Sequence, residues 1–274
     1  MTSEKEEPGA WGGIHICGRA HTNAEGGKGS SEIGGAVYGG NDDADNSGTL
    51  QYIRLEYTGF AFDEEHEANG ISFYSNGTIV DHCQAYKGSD DGFEFFGGSV
   101  NVSNLVAVSC SDDSFDWTEG WNGKGTNLVA YQEAESTLGY DCDCLMECDN
   151  NGSNNAATPV AHPVLKNLIL VGNGGSKQGI RLRAGTEVEI DNAKVCGKGQ
   201  PLTVETALTE NALKNGTSKL TNITLTSELS SKEGIYTHAD FIAVTSNKVD
   251  ANLSYSSFED IRKECSWMNG SWVK

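Results

Sequence analysis

Asparagine followed by an apolar residue recurs at Asn104-Leu105, Asn127-Leu128, Asn167-Leu168, Asn192-Ala193 and Asn222-Ile223, each time opening a short strand-like run. The spacings are 23, 40, 25 and 30 residues, and two earlier copies carry Tyr52 and His82 in place of the Asn. A strand returning at this interval marks a solenoid, whose single turns cannot bury an apolar face but whose stacked turns can. The expected fold is all-β, a right-handed parallel β-helix with about three short strands per turn. The recurrent Asn reads as a bend residue whose side-chain amides ladder along the axis. The leucine-rich alternative lacks its Leu-x-x-Leu-x-Leu-x-x-Asn pattern.

The most regular pair of turns fixes the register. Ser89-Asp-Asp-Gly-Phe-Glu-Phe95 aligns over Ser111-Asp-Asp-Ser-Phe-Asp-Trp117 at a spacing of 22. Alternate strand residues face opposite sides. Phe93, Phe95, Phe115 and Trp117 are therefore expected inward, and Glu94 and Asp116 outward, one rung apart, with Glu147 on the following turn. Regular turns are expected over 11–200 within one domain, 1–274, interrupted by a Gly/Asp-rich loop at 25–48. A short inserted helix is expected at 203–216, with Thr203 as its N-cap and Asn215-Gly216 as its stop. The last turn and an aromatic-rich cap follow at 218–274. A second acidic loop is expected at Asp63, Glu64, Glu65 and Glu67.

Composition narrows the function. With 39 acidic against 19 basic residues, the net charge is −20, which excludes a phosphate-binding surface and hence nucleic acid. No apolar run reaches the length of a membrane span. The start of the chain is acidic and no signal peptide is visible, yet residues 11–20 already read as a solenoid turn, so more chain is expected upstream. The eight cysteines are an even number, as in disulfide-bonded secreted proteins; buried thiols are the other reading. Cys142-x-Cys144-x3-Cys148 lacks the paired Cys-x2-Cys of a zinc site.

The carboxylates are the strongest chemical feature. Asp90, Asp91, Asp112 and Asp113 suit either turn capping or calcium, the one cofactor expected. Glu94 and Asp116, one rung apart, fall near the carboxyl separation of glycosidases. Arg181 and Arg183 are the close basic pair that a β-helical lyase would need, and surface ion pairs with neighbouring acids are the plainer reading. Trp121 and Glu147 are the expected binding residues. The six histidines show no metal spacing.

Several longer stretches resemble a known family. Gly9-Ala-Trp-Gly-Gly-Ile-His-Ile-Cys-Gly-Arg-Ala20, Tyr38-Gly-Gly-Asn-Asp-Asp-Ala-Asp-Asn-Ser-Gly-Thr-Leu-Gln-Tyr-Ile-Arg54, Ser89-Asp-Asp-Gly-Phe-Glu-Phe-Phe-Gly-Gly98, Asp112-Asp-Ser-Phe-Asp-Trp117, Glu147-Cys-Asp-Asn-Asn151 and Trp267-Met-Asn-Gly-Ser-Trp272 are similar to motifs of large secreted β-helix proteins and lipoproteins of Gram-negative bacteria. The resemblance implies a parallel β-helix at the outer-membrane surface or outside the cell, and no established reaction. The leading expectation is a non-enzymatic surface protein that binds a glycan, peptide or partner protein along its flank, with calcium. The alternative is a polysaccharide lyase or glycoside hydrolase working through Glu94 and Asp116, or Arg181 and Arg183.

Overall fold

In a computed structural model, which describes residues 1–63 and 66–274, the chain winds into a right-handed parallel β-helix. Glu64 and Glu65 of the second acidic loop lie outside the described residues. Two eight-stranded parallel sheets run the length of the helix. The first is built of short strands, among them Ile71–Tyr74, Phe93–Phe96, Phe115–Thr118, Met146–Asp149 and Gln178–Arg183. The second is built of long ones, among them Thr49–Glu56, Ile79–Tyr86, Asn101–Val108, Lys124–Tyr131, Val164–Val171 and Glu189–Cys196. Each full turn thus contributes two strands, where three were expected. The reason lies in the long strands, which are two arms joined at a bend.

The bend is the asparagine. Asn104, Asn127, Asn167, Asn192 and Asn222 all take left-handed backbone angles, with φ between 56 and 65°. Asn tolerates this conformation better than other side chains with a Cβ. Pairing passes from Thr126↔Ser103 to Leu128↔Leu105, so the bend residue itself sits outside the ladder. Its amide stacks on the next: Nδ2 of Asn127 donates to Oδ1 of Asn104 (2.9 Å), Asn167 to Asn127 (3.0 Å) and Asn192 to Asn167 (2.9 Å). Asn104 ends this run on Asp81, and Asn222, outside it, donates to Asp191. Tyr52 and His82 hold the same positive φ, and there rings replace amides, stacked 4.7 Å apart.

The core is a column of rings between the sheets. Phe73 stacks on Phe95 (5.1 Å), Phe93 on Phe115 (5.5 Å) and Phe95 on Trp121 (4.2 Å). Leu105, Leu128, Leu168, Ala193 and Ile223 fill it from the second sheet.

Three expectations change. The inserted helix is Ala207–Asn215, closed by left-handed Gly216, whereas Thr203 lies in the strand Gln200–Val204 and Thr206 stands at the cap. All eight cysteines are free. Cys83, Cys110 and Cys148 fill single rungs of the core as small apolar groups, and burial pushes the Cys83 thiol up to about 11. The tail is more than an end cap. Tyr236 and Phe241 close the main core, but Ile261, Cys265, Met268 and Trp272 run back over the outer face of the second sheet, on Val106, Val129, Ile169 and Val171. This strap ends where Lys274 bonds Glu56 (2.6 Å) and Gln84 (2.8 Å), with Trp272 edge-on to His82.

Candidate functional site: a covered ladder of carboxylates

Register places one acid over another on the outward side of the first sheet. Ser72, Glu94, Asp116, Glu147 and Arg181 are successive partners. Their neighbours two residues on form a second column: Tyr74, Phe96, Thr118, Asp149 and Arg183. The expected alignment of Glu94, Asp116 and Glu147 is therefore present, but Glu94 is buried and Asp116 and Glu147 are only partly exposed.

Glu94 is only 8% exposed. The Gly-rich loop lies over it, pinned by a two-stranded hairpin, Gly29–Ser30 with Val37–Tyr38. Tyr38 packs on Tyr74 (4.9 Å), and Tyr74 on Phe96 (4.4 Å). The Tyr38 hydroxyl donates to Glu119 (2.9 Å) and the Tyr74 hydroxyl to Glu32 (3.3 Å). The Asn69 amide donates to Glu94 (2.5 Å).

Beside this column runs a second polar ladder. The Asp91 N–H donates to Asn69 Oδ1 (3.2 Å), the Asp113 N–H to Asp91 Oδ1 (2.9 Å) and the Cys144 N–H to Asp113 Oδ1 (2.6 Å). Each acid caps the backbone of the next rung, a longer reach than the local turn cap expected from sequence. Asn69 belongs to the series, and its signal was present: Asn69-Gly70 stands 22 residues before Asp91-Gly92.

Electrostatics then separate the acids into two groups. Two unit charges about 5 Å apart repel by about 3 kcal/mol at an effective dielectric of about 20. Glu147 and Asp149 escape this through the arginines. Arg181 bridges Glu147 (2.9 Å) and Glu205 (3.3 Å), and Arg183 bridges Asp149 (2.8 Å) and Glu147. Burial works against the charge of both arginines, but these hydrogen bonds and charges outweigh it and raise their pKa. Among the described residues the other acids have no ion pair of this kind, and Arg183 and Lys177 offset the charge of Asp116 and Asp112 only in part. Burial, then like charges, pushes Asp91, Glu94, Asp113 and Asp116 well above the usual carboxylate range. The same causes lift Asp90 to about 7 and Asp112 to about 6. On the covering loop Glu32 rises to about 7, chiefly through burial.

Of the expected metal residues, Asp90, Asp91 and Asp112 bring carboxylate oxygens within 4.8 Å of one another. Asp113 groups instead with Asp116 and Glu147, or with Asp143 and Cys144. Asp91 also groups with Glu94 and Asp116. Trp121, expected to bind, is 1% exposed: it stacks on Phe95 inside the core and donates its indole N–H to the Val100 carbonyl (3.1 Å).

Two open features flank the covered acids. A polar cleft of about 610 Å³ is lined by Asn23, Glu25, Thr118, Glu119, Asn151 and Asn154. On the other side Phe60 and Phe62 stand edge-on at 5.2 Å, 44% and 65% exposed. Their segment folds back through an Ala61–Glu67 bridge, and Glu67 is close enough to raise Asp90 and Asp112.

No helix among the described residues is long and apolar enough to cross a membrane. No curated protein and no solved structure matches the chain. Residues 1–273 match the family described as the pectate-lyase-like β-helix domain. With stacked parallel sheets from Ile14 to Val249, the chain belongs to the pectate-lyase-like β-helix domain family.

Proposed function

We propose that this chain is a non-catalytic binding module of a secreted or cell-surface protein, taking a glycan along the flank of the first sheet. The observation that carries this reading is the closure of the expected catalytic groups. Glu94 lies beneath the Tyr38 loop, and Arg181 and Arg183 are held in ion pairs. A glycosidase needs two carboxyls that reach a sugar, and a lyase needs a base free to take a proton. What remains open suits binding. The Phe60–Phe62 pair offers ring faces to a sugar, and the amides and carboxylates of the cleft on the opposite side of the acids offer hydrogen bonds to hydroxyls. Fold membership alone supplies no reaction.

The test is a panel of neutral and uronic-acid polysaccharides, scored for binding and for released reducing ends or unsaturated products. Retention without product, weakened about tenfold or more by Phe62→Ala, is the expected result. Turnover lost in Glu94→Gln or Arg181→Met would establish the lyase or hydrolase alternative instead.

A further inference from the structure

We infer that the outer corner of the second sheet is a binding track for a neutral, β-linked glycan chain, running between the asparagine ladder and the C-terminal strap. One residue per rung lines the corner. Tyr52, His82, Asn104, Asn127, Asn167 and Asn192 are the bend residues that the pairing of the long strands skips. Neighbouring strands lie about 4.8 Å apart, so the corner repeats a polar or aromatic group at about that interval. The strap is the facing wall: Cys265, Met268 and Trp272 pack on the sheet, and Trp267 stacks on Trp272 (6.2 Å). Two hollows open along this line. One of about 340 Å³ is lined by Asn127, Asn167, Asn192 and Trp267. The other, of about 530 Å³, is lined by Tyr52, Arg54 and Trp272. Rings join them, since Trp272 stands edge-on to both Tyr52 (6.4 Å) and His82 (5.2 Å).

The ladder does not use up its amides. An Asn side chain has two N–H donors and an oxygen with two acceptor sites. Asn127 and Asn167 each spend one donor and one acceptor site on their neighbours, and Asn192 spends a donor alone, because Asn222 turns to Asp191. Asn167 and Asn192 are exposed, so the remaining groups are open to a ligand. Sugar hydroxyls both donate and accept, and an amide on each rung can answer them in either role. Trp267 and Tyr52, the latter 62% exposed, add flat apolar faces of the kind that cover a sugar ring. The charge of the track points to a neutral chain. Lys194 is held by Glu264, and Arg54 by Glu56 (2.6 Å) and the Ser271 carbonyl (2.7 Å), so neither is free for a uronate. A peptide strand would add to an unpaired sheet edge, whereas the strands from Ile79–Tyr86 to Glu189–Cys196 are paired on both sides.

This track lies on the other sheet from the flank proposed above and does not rest on that reading. The experiment is calorimetric titration of cellohexaose and chitohexaose, with oligogalacturonate as the charged comparison, into Phe62→Ala protein, which lacks the ring assigned to the first-sheet flank. At least one neutral hexasaccharide is expected to bind, and more tightly than oligogalacturonate. Adding Tyr52→Asn or Trp267→Ala to Phe62→Ala should weaken that binding at least tenfold. Asn suits the left-handed backbone at position 52, and the Tyr52 ring is mostly exposed, so this variant should fold; its melting point reports whether it does. Failure of both neutral hexasaccharides to bind Phe62→Ala protein would overturn the track and leave the first-sheet reading standing if wild type still bound them. Unchanged affinity in both double variants, or tighter binding of oligogalacturonate than of the neutral chains, would overturn it as well.

Discussion

The second sheet stacks asparagines and the first sheet stacks carboxylates, and the two columns solve the same geometric problem with opposite success. On the second sheet asparagines stack at successive bends, and each amide both donates and accepts, so the column satisfies itself. On the first sheet carboxylates stack at the same interval, and an ionised carboxylate only accepts. Glu147 and Asp149 are satisfied by arginines, whereas Glu94 and Asp116 meet further acids. A parallel β-helix repeats whatever residue it places on a rung. It rewards an amide and penalises an acid unless a proton, an arginine or a metal comes with it.

The strongest way to break the comparison is to disrupt the amide ladder. Asn127→Leu puts a Cβ-bearing apolar residue at φ 60° and removes two amide bonds. A loss of about 2 kcal/mol is expected in urea unfolding, with Asn127→Gly recovering about half because glycine relieves the backbone. A smaller effect is expected from extending the unsatisfied acid column. Arg183→Met leaves Asp149 and Glu147 short of a partner; with the arginine about a third exposed, it should cost between about 1 and 2 kcal/mol at pH 8 and less at pH 5. The smallest effect has the opposite sign. In chelator at pH 8, Asp116→Asn should raise stability by about 1 kcal/mol, since an amide can donate to its neighbouring acids. An equal loss of stability from Asp116→Asn and Asn127→Leu would erase the distinction between the ladders.

What could be read from sequence followed the repeat. The sheets, the inward Phe93–Phe115 column, the Asn ladder and the register of Glu94 over Asp116 all come from periodicity, which local residues impose. What could not be read came from distant chain. Nothing near Glu94 announces that a loop some sixty residues earlier in the sequence will cover it, so a closed column was expected to be open. The strap over Val106 and Val129 is missed for the same reason, because an aromatic tail does not declare which face it docks on. Trp121 follows the strand that carries Asp116, and its inward turn depends on the glycines around it. Gly123 shows how tight that turn is: an added Cβ would lie 1.8 Å from the Val100 carbonyl oxygen. The strand count failed on a subtler point, since a left-handed residue can bend a strand without ending it.

The most direct test of the central claim, that the acid ladder is closed and short of positive charge, is the thermal stability of the chelator-treated protein from pH 5 to pH 8. Glu32 and Asp90 titrate at about 7 and Asp112 at about 6 in the folded chain, above the ordinary carboxylate range near 4. For groups raised on folding, the folded state holds more protons than the unfolded one. Their contribution is complete below about pH 4 and is lost as pH rises through 6 and 7. The account therefore predicts a melting point that falls between pH 5 and pH 8, and falls less in Asp116→Asn. A melting point that is flat or rises over that interval in both proteins would contradict it, and would mean that the carboxylates are solvated and ordinary.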